Sequence, residues 1–398
     1  MPKPLQGVRV ADFTVHNAGP FCTHMLSQLG AEIIKIESAM RLDAFRKPHP
    51  VYGRLGPATF DQVASTKLSV RINLKKPEGV KLAKRIVEVS DAAAESFRPG
   101  VMDRLGLGYE ALTAVMPDLV MLSISSSGQS GPDSHFAGYA PLFGAWGGLG
   151  DLTGYADGPP VEIRHVMDHT VGLNAATALM AALVRRRSTG RGAHVDVAAR
   201  EVAASLIGDM LLAAAAGGSP GRIGNGHPRM APHGVYPSLG KDRWLSMSVT
   251  NDREWASFAR LIGREELVED PRFEEEATRH RNRAVVDDIV ADWSAGLDAN
   301  EAAALLQRAG IGAHASWGTP EIAADPHLRE RGAIVEVVEP DGRPRLAVGV
   351  PMRLSKAPEI GIDRGTPTLG EDEDYVYGSL LGMSREERRS LEQAEVIY

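Results

Sequence analysis

Residues 159–201 read PPVEIRHVMDHTVGLNAATALMAALVRRRSTGRGAHVDVAARE. A Pro-Pro turn and a short extended run lead to Asp168, where a long apolar helix begins. The helix runs to the arginines at 185–187, where basic side chains suit a helix C-terminus. Gly190 and Gly192 then turn the chain into a strand over 194–197. This order delivers one carboxylate to the start of a buried helix. There the unpaired N–H groups and the helix dipole favour the ionised form. By position alone, an aspartate before a helix reads as a cap.

The same helix-then-strand grammar extends outward. Residues 8–13 form a short apolar strand, Gly19 and Pro20 open a helix to Leu29, and 32–37 is a second strand. Residues 68–74 alternate as an extended segment, Pro77 starts a helix reaching Val89, and 119–125 is another buried strand. Strands separated by helices imply an α/β fold with a mostly parallel sheet covered by helices. After the strand at 194–197, a helix is predicted over 202–216, and it breaks at Gly217-Gly218-Ser219-Pro220. The following GRIGNGHPRMAPHG is the clearest candidate linker. Beyond it, 235–238 and 244–249 flank a Gly-Lys-Asp turn as a hairpin, with amphipathic helices near 252–262, 281–295 and 299–308. A second hairpin, 334–338 and 345–350, surrounds Asp341-Gly342, and the last 30 residues are acidic and then helical.

The composition is that of a water-soluble protein with a sizeable core, 43 % hydrophobic and 24 % charged over 398 residues. A net charge of −7 supplies no basic excess for nucleic acid, although local clusters can still hold a small phosphorylated ligand. The single cysteine, Cys22, excludes an internal disulfide framework and fits a reducing compartment. Neither a charged-then-apolar leader nor a membrane-length apolar run is present, so a soluble, cytoplasmic protein is expected.

Four strings, taken in order, are specific beyond their individual content. They are PLQGVRVADFTVHNAGPFCTHMLSQLGAEIIKIE at the N-terminus, SFRPGVMDRLGLGYEAL (96–112), ADPHLRERGAIVEV (324–337) and TLGED (368–372). With the 159–201 segment they resemble the family III CoA-transferases, the group of formyl-CoA, carnitine and bile-acid CoA-transferases, from Leu5 to about Leu381. The resemblance implies a Rossmann-like large domain plus a smaller α+β domain, and two subunits threaded through one another as interlocked rings. On that frame residues 1–200 open the large domain, 201–226 and 326–340 are linkers, 227–325 form the small domain, and 341–398 return to the large one. It also implies that Asp168 is the catalytic nucleophile. CoA would be held by His16, Asn17 and Ala18 after the first strand, Ile72 and Lys75 after the third, and Ser96, Phe97 and Arg104 around the Arg-Pro-Gly turn. The family's basic residue after the second strand is Ser38 here, with Arg41 close by. Tyr139, Phe143 and Trp146 would either line an apolar cavity for a branched, aromatic or steroid-like acid or pack in the core. Gly224 and Gly226 would form either a cover over the intermediates or a plain interdomain turn.

A carboxylate suits this chemistry because, with an ordinary pKa of ~3.9, it is ionised at neutral pH and needs no adjacent base. Coenzyme A is then a substrate rather than a resident cofactor, and no metal or redox group is required. Three rivals stand beside this reading. An α-methylacyl-CoA racemase of the same frame needs a His-Asp pair where this chain has Tyr139 and Ala140. A metal site at His165 and His169 has the right spacing but lacks a third ligand cluster. A non-catalytic CoA-binding protein would keep the cations and have no use for Asp168. A dinucleotide site is disfavoured, since Thr14 to Pro20 reads TVHNAGP and not G-x-G-x-x-G.

Overall fold

The computed structural model describes every residue except 1, 52, 54, 164, 165 and 357–359. The chain divides into two compact units: Met1–Gly150, Glu162–Gly218 and Pro326–Tyr398 in the larger, Asp151–Val161 and Ser219–Asp325 in the smaller.

Six strands build the larger unit's sheet: β1 (Arg9–Asp12), β2 (Glu32–Glu37), β3 (Leu68–Arg71), β4 (Ala92–Glu95), β5 (Val120–Ser125) and β6 (Ala193–Ala198). All neighbours are parallel, in the order β3-β2-β1-β4-β5-β6. The winding reverses at β1, whose Val10 pairs with Ile33 on one side and Ala92 on the other. Beyond the carboxyl end of such a reversal the connecting loops diverge and leave a crevice for ligands.

Alternation along the strands divides the core. One face carries Val10, Ala92, Ala94, Leu122 and Ile124 against the helices Ala18–Gln28 and Val166–Thr189. Gly172 lets those two helices approach closely, since a Cβ there would sit 2.7 Å from the Ala18 carbonyl oxygen. The other face packs Ala11, Phe13, Ala93 and Met121 with the helix Pro77–Glu88 and with Val376, Tyr377, Val396 and Ile397 of the C-terminal segment. Thus the C-terminal segment covers one face of a sheet whose strands all come from residues 9–198.

Two expectations are corrected. The helix over 202–216 is two helices, Ala199–Ser205 and Gly208–Ala215. Ile207 leaves helical geometry at φ −120° and ψ 29°, and Gly208, a poor helix-interior residue, begins the second. Residues 68–74 are strand only to Arg71. No helix among the described residues is long and apolar enough to cross a membrane.

In the smaller unit, β7 (His233–Pro237), β8 (Trp244–Ser248) and β9 (Gly312–Ala315) form an antiparallel sheet. The helices Asp252–Leu261, Arg283–Ser294 and Ala299–Arg308 share a core with it through Trp255, Phe258, Val286 and Leu306.

Candidate active site

The loop leaving β1 is pinned at nearly every residue. Asp12 accepts from the Thr14 amide (2.9 Å) and hydroxyl (2.5 Å). Ser96, beyond β4, bridges Val15, accepting from its N–H at 2.9 Å and donating to its carbonyl at 3.1 Å. The His16 amide donates to Asp43, and the buried Lys35 ammonium donates to the Thr14 carbonyl. His16 itself sits in the left-handed region, φ +66°, a conformation that a non-glycine residue holds only when its surroundings impose it.

These bonds set the position of Asn17. It stands at the N-cap of the helix Ala18–Gln28, yet its side chain makes no capping bond. Its amide nitrogen instead points to an Asp168 carboxylate oxygen, a long contact of 3.5 Å. Its Oδ1 is buried without a hydrogen-bond partner. Asp168 is the third residue of the helix Val166–Thr189, inside the first turn, so the capping position expected of it is not the one it holds. Its burial is intermediate. The packing of that turn rests on Met167 and Val171, both in the core.

Asp168 and Asn17 help wall a cavity of about 670 Å³ over the carboxyl ends of β1, β4 and β5. Val15, His16 and Ala18, then Ser96, Phe97 and Arg98, then Ser125 and Ser126 supply three of its sides. Tyr139 and Phe143 add a fourth. Tyr139 is 67 % exposed and meets His16 edge-on at 6.4 Å, whereas Phe143 is also part of the core. Trp146 instead stacks on Phe136 at 5.1 Å beneath the Arg200 guanidinium.

A second cavity of about 400 Å³ adjoins the first through Val15, His16, Arg41, Phe97 and Val101. Ile72, Lys75 and Arg41 are among its walls, so the segments after β2, β3 and β4 converge there. Ser38 accepts from the Met40 amide and so starts the short turn Ala39–Arg41 that carries Arg41 to the rim. Arg41, Lys75, Arg98 and Arg104 make no ion pair among the described residues, unlike Arg46 with Glu37 or Arg71 with Glu373. Cations left uncommitted beside a cavity are what a phosphorylated ligand needs. Arg104 lies exposed on the helix Val101–Arg104, outside both cavity walls.

The walls of both cavities come from the larger unit. Gly224 and Gly226 belong to the smaller one, where Gly224 (φ +59°) donates to the Gly154 carbonyl and leaves room for the Tyr155 ring, 2.5 Å from where a Cβ would stand. Asn225 donates to the Tyr155 hydroxyl. Of the histidine pair weighed for a metal, His165 lies outside the described residues, and His169 packs edge-on against Phe21 at 4.3 Å.

Sequence reasoning missed Arg98, Ser125 and Ser126. Arg98 was legible as part of the Arg-Pro-Gly turn. The serines look like ordinary strand-end polarity.

The model of CoA-transferase family III matches residues 5–373. The chain is 33 % identical over 401 residues to the succinyl-CoA–D-citramalate CoA-transferase of Chloroflexus aurantiacus, covering 100 % of this chain and 98 % of that protein. It is 29 % identical to the formyl-CoA:oxalate CoA-transferase of Escherichia coli, covering both chains fully. A CaiB/BaiF family protein from Brucella suis superposes with a TM-score of 0.85 at 30 % identity, covering 96 % of this chain and 100 % of that one. The chain therefore belongs to CoA-transferase family III, and is an enzyme that transfers CoA between an acyl-CoA and an acid.

Proposed function

We propose that Asp168 is the nucleophile of this transfer and that short dicarboxylic acids are its substrates. The observation that carries the reading is the placement of one carboxylate, contacted by Asn17, in a cavity that opens into a second one bearing free cations. An Asp168 oxygen attacks the thioester carbonyl and the C–S bond breaks, giving an acyl-aspartyl anhydride and CoA thiolate. The thiolate attacks the aspartyl carbonyl, releasing the donor acid and leaving an aspartyl-CoA thioester. An acceptor carboxylate then expels the thiolate to form a second anhydride. Attack of the thiolate on the acceptor's acyl carbon frees Asp168 and the new CoA ester. Each exchange is redox-neutral and closes without a metal or cofactor. First-turn amides of the helix Val166–Thr189 would serve the developing oxyanions.

CoA lies, in this reading, with its phosphorylated end toward Arg41 and Lys75 in the second cavity. Arg98 would face the acceptor's distal carboxylate in the first. Relatives named for citramalate, glutarate and oxalate support the acid class. Tyr139 and Ala140 disfavour the racemase alternative, because they stand where a His-Asp acid–base pair would be needed. A homodimer is the proposed active form. Its support, beyond the family resemblance, is the helix Gly208–Ala215, which buries none of its residues although Leu211 and Leu212 are 55 % and 74 % exposed.

The direct test is trapping. Incubation with succinyl-CoA and hydroxylamine should leave a hydroxamate on Asp168, mapped by peptide mass spectrometry. Turnover at full rate with label on no carboxylate would refute the anhydride. Asn17→Ala should lower kcat about tenfold, the low end for a hydrogen bond to a charged group, with little change in KM for the acyl-CoA. An unchanged kcat would remove Asn17 from the nucleophile's support.

A further inference from the structure

One buried acid plays no part in this chemistry yet abuts it. Glu95 ends β4 at 3 % exposure, directly before Ser96 and Phe97. Its Oε2 accepts the Phe97 N–H at 2.7 Å, so the carboxyl holds the residue that walls both cavities. Its strand partner Ser123, 1 % exposed, lies beside it across β4 and β5, and the Ser123 hydroxyl meets His194 Nε2 at 2.9 Å. His194 lies on the edge strand β6, exposed, with its ring stacked on Tyr109 at 5.0 Å. Exchangeable protons on His194 and Ser123 therefore lie between solvent and the acid behind the cavity wall.

Among the described residues, no cation forms an ion pair with Glu95. From the neighbouring elements it feels Asp103 of the helix Val101–Arg104 and Asp196 of β6, both carboxylates, while Arg104 on that helix is exposed. On the β1 side, Asp12 is committed to Lys67. Burial, with those two acids adding to it, raises the Glu95 carboxyl to about 7. Burial lowers His194, although Asp196 and Asp103 oppose this.

We propose that Glu95 is a proton-linked positioning residue of the CoA site, such that a CoA ester prefers the protein with Glu95 protonated, the proton arriving by way of His194 and Ser123. The inference rests on the CoA-transferase reading of the two cavities. The proton balance is simple. Solvent protonates His194 Nδ1, Nε2 passes its proton to Ser123, and Ser123 passes its own to Glu95, leaving histidine as the other tautomer. CoA brings several negative charges toward a carboxylate that solvent does not screen, so its binding favours the neutral acid. Linkage makes this reciprocal: the neutral acid binds CoA more tightly. Affinity for CoA esters should then fall about three- to tenfold as the pH rises from 6 to 8.5, as one unscreened charge pair allows.

The test is calorimetry of CoA binding to the whole protein near pH 7, in buffers of different ionisation enthalpy. Wild-type protein should take up about a third of a proton more per CoA than the E95Q variant, because a group that starts half protonated gains that much when a three- to tenfold linkage raises its pKa. The CoA 3′-phosphate, with a second pKa of ~6, contributes equally to both and cancels in the difference. In steady-state assays, the ratio of the wild-type to the E95Q KM for the acyl-CoA should rise with pH, with the kcat profiles parallel. Equal proton uptake in the two proteins would overturn the role of Glu95 alone, whereas failure of CoA to bind either would overturn the functional reading beneath it. Should E95Q not fold, carboxyl-carbon NMR of the wild type reads the same quantity. One glutamate titrating near neutrality should shift to higher pH on adding CoA, and an unmoved titration would sink the proposal.

Discussion

Replacing Asp168 by alanine should reduce CoA transfer by at least about 10⁴-fold, the scale on which enzymes lose rate when the attacking atom itself is removed. The loss should fall on kcat, and CoA affinity should change little, because the free cations Arg41 and Lys75 wall the second cavity and Asp168 does not. The fold should also survive. Asp168 is only partly buried, and Met167, Val171, Ala175 and Leu179 carry the helix's contribution to the core. Among what disappears are the long Asn17 contact and the favourable interaction of an anion with a helix N-terminus, the latter about 0.3–1 kcal/mol. Thermal unfolding followed by circular dichroism, CoA calorimetry and a mass-spectrometric transfer assay separate the three quantities. Activity retained above about one part in a hundred would assign the nucleophile elsewhere, since no uniform-binding effect of one side chain spans the remaining gap.

Much of this site was readable before its geometry, for identifiable reasons. β2 announces itself as EIIKIE, a run of β-branched residues flanked by polar ones, and its bounds came out unchanged. β4 is Ala-Ala-Ala-Glu, equally buried but without any residue that prefers a strand, and only its pairing between β1 and β5 makes it one. The same blindness hid Glu95, which ends that strand and accepts from the Phe97 N–H. Likewise β9, Gly-Ala-His-Ala, exists because β8 offers it an edge. Asn17 and Asp168 are 151 positions apart, and no local pattern brings their side chains together. That meeting depends on Gly172, whose missing side chain lets two helices close on one another.

The turn that presents Asn17 rests on a buried ion pair, and breaking it should give the largest loss of stability from one substitution. Asp12 and Lys67 are both fully buried, 3.1 Å apart. Lys67 also donates to Thr23 at 2.7 Å and to the Pro20 carbonyl at 2.9 Å, and Asp12 accepts from Thr23 at 2.8 Å. Burial works against the Asp12 anion, but Lys67, Lys35 and the Thr14 and Thr23 hydroxyls outweigh it and hold the carboxyl below its ordinary value. Burial pushes the Lys67 ammonium down to about 8, so it remains protonated at neutral pH. Lys67→Met keeps the volume and removes the charge. The stranded carboxylate should then cost about 3–5 kcal/mol, a large share of the 5–15 kcal/mol typical of a domain. The pH dependence identifies the cause. In wild type the depressed Asp12 contributes stability that is present above ~3.9 and is lost as the pH falls through its lower folded value. In Lys67→Met the same carboxyl has lost its main counter-charge, and burial raises it above ~3.9. Stability should then decline as the pH rises from ~3.9 toward the raised value, leaving the variant firmer at pH 5 than at pH 8. Adding Asp12→Asn, which can still accept from Thr14 and Thr23, should recover part of the loss and flatten that slope. A Lys67→Met protein whose urea midpoint does not move between pH 5 and pH 8 would mean that packing, not charge, is what Lys67 supplies.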